Sequence, residues 1–401
     1  MTVPLDHAAP AHGGKAAALG ALRRAGLPVP DGFVVPAAVA GEDLTAAVAA
    51  GARDLARRAG GSVDAPVAVR SSATDEDGGR ASAAGQYDTV LGVSGTDRVV
   101  AAVTTCRASA AGPRATAYRT ATSGDPALAD VAVVVQRLVD AHAAGVLFTG
   151  DGRTVVEASW GLGESVVQGA VDPDRWTVAD GRVTDRRAGH KRTRVDRSPG
   201  GTAVRDVPAA DRDRPCLDDD TVLRLAALGR RVAELRGGPQ DVEWAVDDAG
   251  TVCLLQARPV TAALPDCPTE RCERDFGDCS RPKSPRDRAH NDAGLLGVLR
   301  GTGASGGRAS GPVRVVRGPD DFAAVRPGDV LVCRETDPAW TPLFGVVAAV
   351  VTETGGLLSH AAIVARELRV PAVLGVPAAT DVLRGAGTVT VDGDAGTVAT
   401  A

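Results

Sequence analysis

Hydrophobic and polar positions along the chain switch between helical spacing and the spacing of strands. Apolar residues recur at helical spacing in GGKAAALGALRRAGL, residues 13–27, and again in TVLRLAALGRRVAELRGG, residues 221–238, where two glycines end the pattern. Short, nearly continuous apolar runs at 31–36, 66–72 and 131–139 are typical of buried strands. Helices that alternate with buried strands predict an α/β protein.

A hairpin is predicted over residues 241–259, where DVEWAV and TVCLLQARP flank the polar turn DDAG. If the strands pair across this turn without interruption, Glu243 lies opposite Leu254. Side chains alternate along a strand, so the same pairing places Glu243, Gln256 and Arg258 on one face. The pattern by itself also fits an amphipathic hairpin with a solvated polar face.

The chain divides at a stretch that lacks both helical and strand periodicity. Residues 265–292 are polar and rich in proline and charge, which is typical of a linker. We therefore predict an N-terminal domain over 1–264, a linker over 265–300 and a C-terminal domain over 301–401. The C-terminal range reads as a compact, strand-rich α/β unit with one helix in its middle. A chain of 401 residues is too long for one ordinary core, which agrees with this division.

Composition and charge narrow the class of protein. Hydrophobic residues make up 44% and charged residues 24%, which fits a soluble globular protein. The net charge of −5 and the lack of a long basic run argue against nucleic acid as a partner. No apolar run approaches the roughly 18 residues needed to cross a bilayer. The N-terminus also lacks the pattern of a signal peptide, so we expect a cytoplasmic protein without a membrane partner.

Three of the seven cysteines, Cys267, Cys272 and Cys279, lie in the predicted linker. Cysteines of a cytoplasmic chain are expected to be reduced, and a zinc site is one interpretation of such a cluster. The spacing does not match the paired CxxC pattern of zinc knuckles, so a loose linker is the other interpretation. The sequence leaves both open.

Several motifs carry side chains suited to phosphate and metal. Lys15 follows two glycines and opens a helix, where backbone N–H groups and an ammonium can hold phosphates. Arg70 ends a strand, and Arg258 offers a planar guanidinium. The carboxylate of Glu243 and the amide oxygen of Gln256 are suitable ligands for Mg²⁺. Each residue alone has an ordinary structural interpretation, but the combination favours a nucleotide site.

Taken together, these stretches resemble the family of phosphoenolpyruvate synthase, pyruvate phosphate dikinase and rifampin phosphotransferase. The N-terminal match comprises GGKAAALGALRRAGLPVPDGFVV (13–35), AVRSSATDEDGGRASAAGQYDTVLGV (68–93), VVVQRLVDAHAAGVLFTGDG (133–152), EASWGLGESVVQGAVDPDRWTV (157–178) and GGPQDVEWAVDDAGTVCLLQARPVTA (237–262). The C-terminal match comprises TDPAWTPLF (336–344), VVTETGGLLSHAAIVARELRVPAVLGV (350–376) and TVTVDGDAGTV (388–398).

The resemblance implies an ATP-grasp domain joined by the linker to a swivelling β/α phosphohistidine domain. It implies that ATP and Mg²⁺ bind the N-terminal domain, and that His360 takes the β-phosphoryl group of ATP, with AMP and phosphate as products. The implied roles are phosphate binding by Lys15, Arg70 and Arg258, adenine contact by Gln136 and Val139, metal binding by Glu243 and Gln256, and a phosphohistidine loop that contains Thr354, Gly355, Gly356 and Ser359.

The residues around His360 agree with that role. A neutral imidazole is a nucleophile, and the ordinary histidine pKa near 6.5 leaves much of it neutral at cytoplasmic pH. The start of a helix favours a phosphoryl dianion. Gly355 and Gly356 leave room for a phosphate, and the hydroxyls of Thr354 and Ser359 can donate hydrogen bonds to it. The alternative interpretation is a capping or core histidine.

The acceptor is where the sequence departs from the family, because no acceptor-binding module is recognised beside residues 301–401 or within the linker. We therefore expect a compact phosphotransferase with a small-molecule acceptor, such as a hydroxyl group in antibiotic modification or specialised metabolism. Two alternatives stay open. One is a phosphocarrier subunit that delivers phosphate to a separate acceptor-binding protein, and the other is a non-catalytic, ATP-binding regulatory protein.

Overall fold

The computed structural model describes residues 1–73, 88–112, 116, 131–264 and 297–400. Within these ranges the helices are α1 (Gly14–Arg24), α2 (Glu42–Ala59), α3 (Thr96–Ala110), α4 (Glu164–Val167), α5 (Asp219–Arg236), α6 (Thr341–Phe344), α7 (His360–Leu368) and α8 (Ala379–Val382). None of these helices has the length and apolar character that a bilayer crossing requires. Short 3₁₀ helices lie at Leu5–His7, Pro10–His12, Pro319–Ala324 and Pro338–Trp340.

The strands fall into four sheets within the described ranges. In chain order they are β1 (Val3–Pro4), β2 (Gly32–Val35), β3 (Val67–Ala73), β4 (Thr89–Val93), β5 (Val131–Arg137), β6 (Ala141–Gly150), β7 (Arg153–Trp160), β8 (Asp174–Ala179), β9 (Arg182–Arg187), β10 (Thr193–Ser198), β11 (Gly201–Asp206), β12 (Gln240–Asp247), β13 (Val252–Pro259), β14 (Val298–Arg300), β15 (Thr302–Ser305), β16 (Arg308–Val315), β17 (Val330–Cys333), β18 (Ala349–Thr352), β19 (Ala372–Leu374), β20 (Thr388–Asp392) and β21 (Thr397–Thr400).

The first sheet has the order β1-β2-β5-β3-β4, with β5 at its centre. One face of β5 carries Val133 and Val135, which pack with residues of α2 and α3. The other face carries Ala132 and Val134, which join the core shared with α1 and α5. Burial on both faces explains why this strand appears in the sequence as an unbroken apolar run.

The second sheet has the order β13-β12-β6-β7-β8-β9, and all of its neighbouring strands are antiparallel. Its core face packs on α1 and α5, and Trp244 is fully buried there. Helix α5 begins at the N-cap Asp218, whose side chain accepts the N–H of Thr221 at 2.8 Å. It ends at the left-handed Gly237, the stop signal expected from the sequence. Strands β10 and β11 form a separate two-stranded sheet.

The C-terminal sheet has eight strands in the order β14-β21-β20-β16-β17-β18-β19-β15. Strands β16 to β19 are parallel, and helix α7 connects β18 with β19. Residues of α7 pack on one face of this sheet together with Trp340 and Phe344. The other face packs with residues of α8, and its core includes residues of β20 and β21.

The helices and strands predicted from hydrophobic spacing are present, and the fold is mixed α/β as expected. The hairpin is present, but its predicted register was wrong. Glu243 lies opposite Gln256, not Leu254, and a β-bulge separates this pair from the pair of Trp244 and Leu254. The division into domains stays a prediction, because residues 265–296 lie outside the described residues. Residues 298–300, at the end of the predicted linker, form β14.

A buried ion pair connects β8 to the loop that follows β9. Lys191 and Asp174 are both fully buried, and their Nζ and Oδ1 atoms lie 2.6 Å apart. The carboxylate also accepts the backbone N–H groups of Gly189 and Cys216, each at 2.8 Å. These donors satisfy the remaining lone pairs of Asp174, which a buried carboxylate requires. The loop is therefore held by charge and backbone hydrogen bonds together.

We expect Lys191→Met to lower the free energy of unfolding by about 3–5 kcal/mol, because it leaves the Asp174 carboxylate buried without its cation. Urea unfolding followed by circular dichroism measures this change. The control is Arg186→Gln, which removes the exposed ion pair between Arg186 and Asp219 and should change stability by less than about 1 kcal/mol. Equal, small losses in both variants would contradict this account of the buried pair.

Candidate active site

An apolar cluster joins the first two sheets where they meet. It comprises Ala68, Leu91, Ala141, Ala144, Leu162 and Ala245, with Leu138, Val139, Val195 and Leu255 packed against it. Val139, predicted to contact adenine, lies in the segment between β5 and β6. Gln136 is buried on β5, and its Nε2 donates to the carbonyl oxygen of Pro30 at 3.1 Å. Apolar side chains of this kind suit the face of a planar base.

Lys15 is held at the entrance of α1 against the end of β3. Its Nζ donates to the carbonyl oxygen of Ser71 at 3.0 Å. The hydroxyl of Ser72 accepts the N–H of Ala16 at 3.0 Å, which fastens the first turn of the helix to the strand. Gly13 precedes the helix with φ of +86°, and a Cβ there would lie 2.2 Å from the Ser72 carbonyl oxygen. The glycine is therefore required by this close approach of helix and strand.

Arg70 of the first sheet contacts two residues of the second sheet, beside the apolar cluster. Its Nη1 lies 3.1 Å from the carbonyl oxygen of Leu255 and 3.4 Å from Oε2 of Glu243. Leu255 is the extra residue of the β-bulge in β13, so the bulge leaves its carbonyl available to Arg70. Burial raises the pKa of Glu164 at the start of α4, and the nearby charge of Arg70 acts in the opposite direction.

The polar face of the hairpin carries two opposed pairs. Glu243 lies directly across from Gln256, and Asp241 lies directly across from Arg258. The Nε of Arg258 donates to Oδ2 of Asp241 at 2.8 Å, and both side chains are buried. Burial raises the pKa of Asp241, whereas Arg258 lowers it. The shared face of Glu243, Gln256 and Arg258 predicted from the sequence is therefore present.

The residues present fit a magnesium ion held together with a nucleotide. A carboxylate and an amide oxygen on facing strands are hard oxygen ligands, which Mg²⁺ takes alongside phosphate oxygens and water. Among the described residues no group of three or more acidic, histidine or cysteine side chains could enclose a metal by itself. A protein contribution of two ligands, completed by phosphates, is the arrangement expected for a metal that arrives with its substrate.

His360 is the first residue of α7 and is buried within the C-terminal part. Its Nδ1 lies 3.1 Å from the hydroxyl of Thr336, and its Nε2 lies 3.3 Å from the hydroxyl of Thr341. The edge of its ring faces Phe344, with ring centroids 6.4 Å apart. Two hydroxyls and one aromatic ring therefore set the orientation of the imidazole.

The loop before His360 contacts the N-terminal part. The hydroxyl of Thr354 donates to the carbonyl oxygen of Gly169 at 2.7 Å, and that of Ser359 donates to the carbonyl oxygen of Gly356 at 2.9 Å. In this arrangement both hydroxyls, expected to serve a phosphoryl group, are bound to backbone carbonyls. Gly355 has φ of +113°, a conformation that favours glycine.

Asp172 lies beside the same loop. Burial raises its pKa to about 6, while the backbone N–H of Gly355 and the charges of Arg187 and His190 lower it. Arg187 also reaches the C-terminal part, because its Nη1 lies 3.1 Å from the hydroxyl of Thr302. The two parts of the chain therefore meet around the loop through charged groups as well as through backbone contacts.

Sequence reasoning missed several residues of the site. Asp241 could have been found, since it precedes Glu243 by two positions and strand alternation puts both on one face. Thr336 and Thr341 lie in TDPAWTPLF, a motif that indicated the family without giving a role to either hydroxyl. Trp340 of the same motif is buried and packs on Phe322. Asp172 carried no local signal. The cysteine cluster, for which a zinc site and a loose linker were both left open, lies outside the described residues.

Comparisons with known proteins show the family of the chain. Residues 37–273 match the family model of the pyruvate phosphate dikinase AMP/ATP-binding domain. Residues 325–396 match the model of the mobile domain of PEP-utilising enzymes. The chain therefore belongs to the family that contains pyruvate phosphate dikinase and phosphoenolpyruvate synthase, and the predicted family and fold class are confirmed.

Its relatives include proteins named as phosphoenolpyruvate synthases. A probable one from Methanothermobacter thermautotrophicus is 37% identical over 300 residues, which cover 73% of this chain and 41% of the relative. The Pyrococcus furiosus protein is 36% identical over 311 residues, covering 73% and 36%. The Pseudomonas aeruginosa protein is 36% identical over 319 residues, covering 72% and 38%. The chain spans less than half the length of these relatives.

We expect the pH dependence of stability to carry a contribution from Asp172. Its folded pKa of about 6 lies above the ordinary value of 3.8, so the folded protein keeps a proton that the unfolded chain releases between these values. Stability is therefore lost as pH rises through this window. Asp172→Asn should gain stability relative to wild type from pH 4 to 7, by at most about 3 kcal/mol, and stay level above pH 7.

Urea unfolding of both proteins at a series of pH values measures this difference. Asp218→Asn is the control with the opposite sign, because hydrogen bonds from Thr221 lower the pKa of the Asp218 carboxyl. That variant should lose relative stability as pH rises through 4. A difference between Asp172→Asn and wild type that does not change with pH would contradict the role given to Asp172.

Proposed function

We propose that this chain is an ATP-dependent phosphotransferase in which ATP phosphorylates His360, and phosphohistidine then passes the group to a small-molecule acceptor. The observation that carries the proposal is a group of polar side chains gathered where the first two sheets meet. Lys15 contacts Ser71, the neighbour of Arg70, and Arg70 contacts Glu243. Glu243 lies opposite Gln256, and Arg258 follows on the same face. Three cations and two oxygen ligands beside an apolar wall suit a nucleoside triphosphate.

The hydroxyls around the imidazole support Nε2 as its reactive nitrogen. The contact of Nδ1 with Thr336 is buried, whereas that of Nε2 with Thr341 is only partly buried. A proton on Nδ1, accepted by the Thr336 hydroxyl, leaves the lone pair on the more accessible Nε2. In the transfer, the Nε2–P bond forms as a P–O bond of ATP breaks. By analogy with the family, the β-phosphoryl group stays on His360, one water is consumed, and AMP and phosphate leave.

Three cationic side chains, those of Lys15, Arg70 and Arg258, have one role in the transfer. They bind and orient the triphosphate, which fixes the line of attack. Asp241 holds the guanidinium of Arg258 in one orientation through their 2.8 Å contact. Glu243 and Gln256 would hold Mg²⁺, which when bound supplies positive charge to the phosphate oxygens.

The acceptor is proposed from the relatives. Their name, phosphoenolpyruvate synthase, favours pyruvate over the hydroxyl compound expected from the sequence. The chain spans less than half of their length. The test therefore also includes delivery of the phosphoryl group to a separate acceptor-binding protein, beside pyruvate and the hydroxyl compounds. Phosphorylated chain is offered pyruvate, a panel of alcohols, or a cell extract, and loss of the phosphoryl group is followed by mass.

We expect intact-protein mass spectrometry after incubation with Mg-ATP to show one acid-labile phosphoryl group that maps to His360, with AMP formed. His360→Ala should abolish the adduct and leave ATP affinity within about twofold of wild type, because the ring contacts Thr336, Thr341 and Phe344 of the C-terminal part. An adduct that persists in His360→Ala, or a wild-type chain that binds ATP without forming AMP or an adduct, would contradict the proposal.

We expect Glu243→Gln to slow labelling of His360 by about 100-fold or more, since the neutral amide removes charge from the metal site. Raising Mg²⁺ should recover part of the rate. Glu234→Gln, on the exposed face of α5, is the matched control and should label at the wild-type rate. Normal labelling by Glu243→Gln would remove the metal assignment.

A further inference from the structure

A buried carboxylate of the N-terminal part binds the backbone of the loop that precedes His360. Glu157 lies on β7 and is only 1% exposed. Its Oε1 accepts the N–H of Leu357 at 2.9 Å, and its Oε2 accepts the N–H of Leu358 at 3.0 Å. Both oxygens therefore serve the loop, and neither donor belongs to the strand or the sheet that carries Glu157.

The loop is shaped to admit this carboxylate. A Cβ at Gly356 would lie 2.2 Å from Oε2 of Glu157, closer than any real contact allows. A Cβ at Gly169 would lie 3.2 Å from that of Ser359, so the two backbones also meet closely beside the carboxylate. The glycines at these positions make room on both sides of one interface.

Arg366 completes the contact from the C-terminal part. Its Nη1 donates to the carbonyl oxygen of Leu357 at 2.8 Å and to that of Ala304 at 3.1 Å. Its guanidinium lies 6.0 Å from the ring centre of Phe148 on β6. The peptide groups of Leu357 are thus bound by a carboxylate on one side and a guanidinium on the other. Burial raises the pKa of Glu157, while the charges of Arg175 and Arg366 and the two N–H groups act against this rise.

We propose that Glu157 is the positioning residue that docks the loop carrying His360 onto the N-terminal part. A buried carboxylate is costly unless donors satisfy it. Its hydrogen-bond partners, Leu357 and Leu358, come from the C-terminal part, so these two donors offset the cost of covering the carboxylate when the loop docks. Glu157 forms no hydrogen bond with Lys15, Arg70 or Glu243. Its effect on transfer, which rests on the proposed function, acts through the placement of His360.

The docking contact extends along α7. Ile363 and Leu358 pack with Val146, Phe148 and Val155 of the second sheet in one apolar cluster. At the end of the helix, Oε1 of Glu367 accepts the hydroxyl of Thr261 at 2.6 Å. Because α7 is a single helix with His360 at its first position, contacts at the loop and at the far end fix where the imidazole stands.

Hydrogen exchange of the backbone tests the docking without any need for activity. In wild type, peptides spanning 353–363 should exchange slowly, because the amides of Leu357 and Leu358 are bound. Glu157→Gln keeps the size of the side chain but turns an N–H₂ group toward one of these amides. We expect exchange of this peptide, and of the facing segment 164–172, to become about tenfold faster or more. Glu234→Gln, on an exposed helix face, should not change it.

A second variant approaches the interface from the other side. Gly356→Ala leaves β7 intact and adds a methyl group against the carboxylate, so it should speed exchange in the same two segments. Faster exchange across β6 to β8 in Glu157→Gln, or an unchanged loop in both variants, would overturn the proposal. The first result would show that Glu157 is a residue of the sheet, and the second that its contacts do not dock the loop.

Transfer provides the second readout. Glu157→Gln should lower the rate of His360 labelling by about tenfold or more while the ATP concentration for half-maximal rate stays within about twofold. A matched loss of rate and ATP affinity would overturn a positioning role. If wild type forms no phosphohistidine but the exchange changes occur as stated, the proposed function fails and the docking inference stands.

Discussion

The candidate site depends on how β12 pairs with β13. Direct pairing sets the carboxylate of Glu243 against the amide of Gln256 and sets Asp241 against Arg258. The bulge at Leu255 turns one carbonyl out of the ladder, and Arg70 from the other sheet binds it at 3.1 Å. A single irregularity in one hairpin therefore aligns two oxygen ligands and also ties the first sheet to the second.

The two halves of the chain are joined by groups whose burial must be compensated across the interface. Glu157 and Asp172 belong to the N-terminal part, and both are placed against backbone N–H groups of the loop before His360. Covering a carboxylate removes its water, and the cost is offset only by a surface that places donors against it. This interface therefore favours one relative placement of the halves, in contrast with an apolar surface that tolerates sliding.

Three residues of the C-terminal part contact the imidazole. Thr336 and Thr341 contact its two nitrogens, and Phe344 lies against its edge. In the proposed transfer, these contacts orient the ring from within its own part of the chain. Docking by the loop and by α7 then sets the position of the ring as a whole.

The sequence by itself determined the elements and the type of chemistry. Hydrophobic spacing predicted α1, α5, the hairpin and the buried strands β2, β3 and β5, because burial on one or two faces leaves a local pattern. The long motifs indicated the family and the residues suited to phosphate and metal. Strand alternation could also have indicated Asp241, two positions before Glu243.

The tertiary structure decided the register and the contacts between distant segments. The turn pairs its strands one residue later than the sequence predicted, which alone would move Glu243 and Gln256 to opposite faces. The bulge at Leu255 shifts the register by one more residue and returns them to the same face, so the shared face was right although the pairing was not. The roles of Glu157 and Asp172 depend on a loop about 200 residues away, whose approach leaves no periodic signal in the chain.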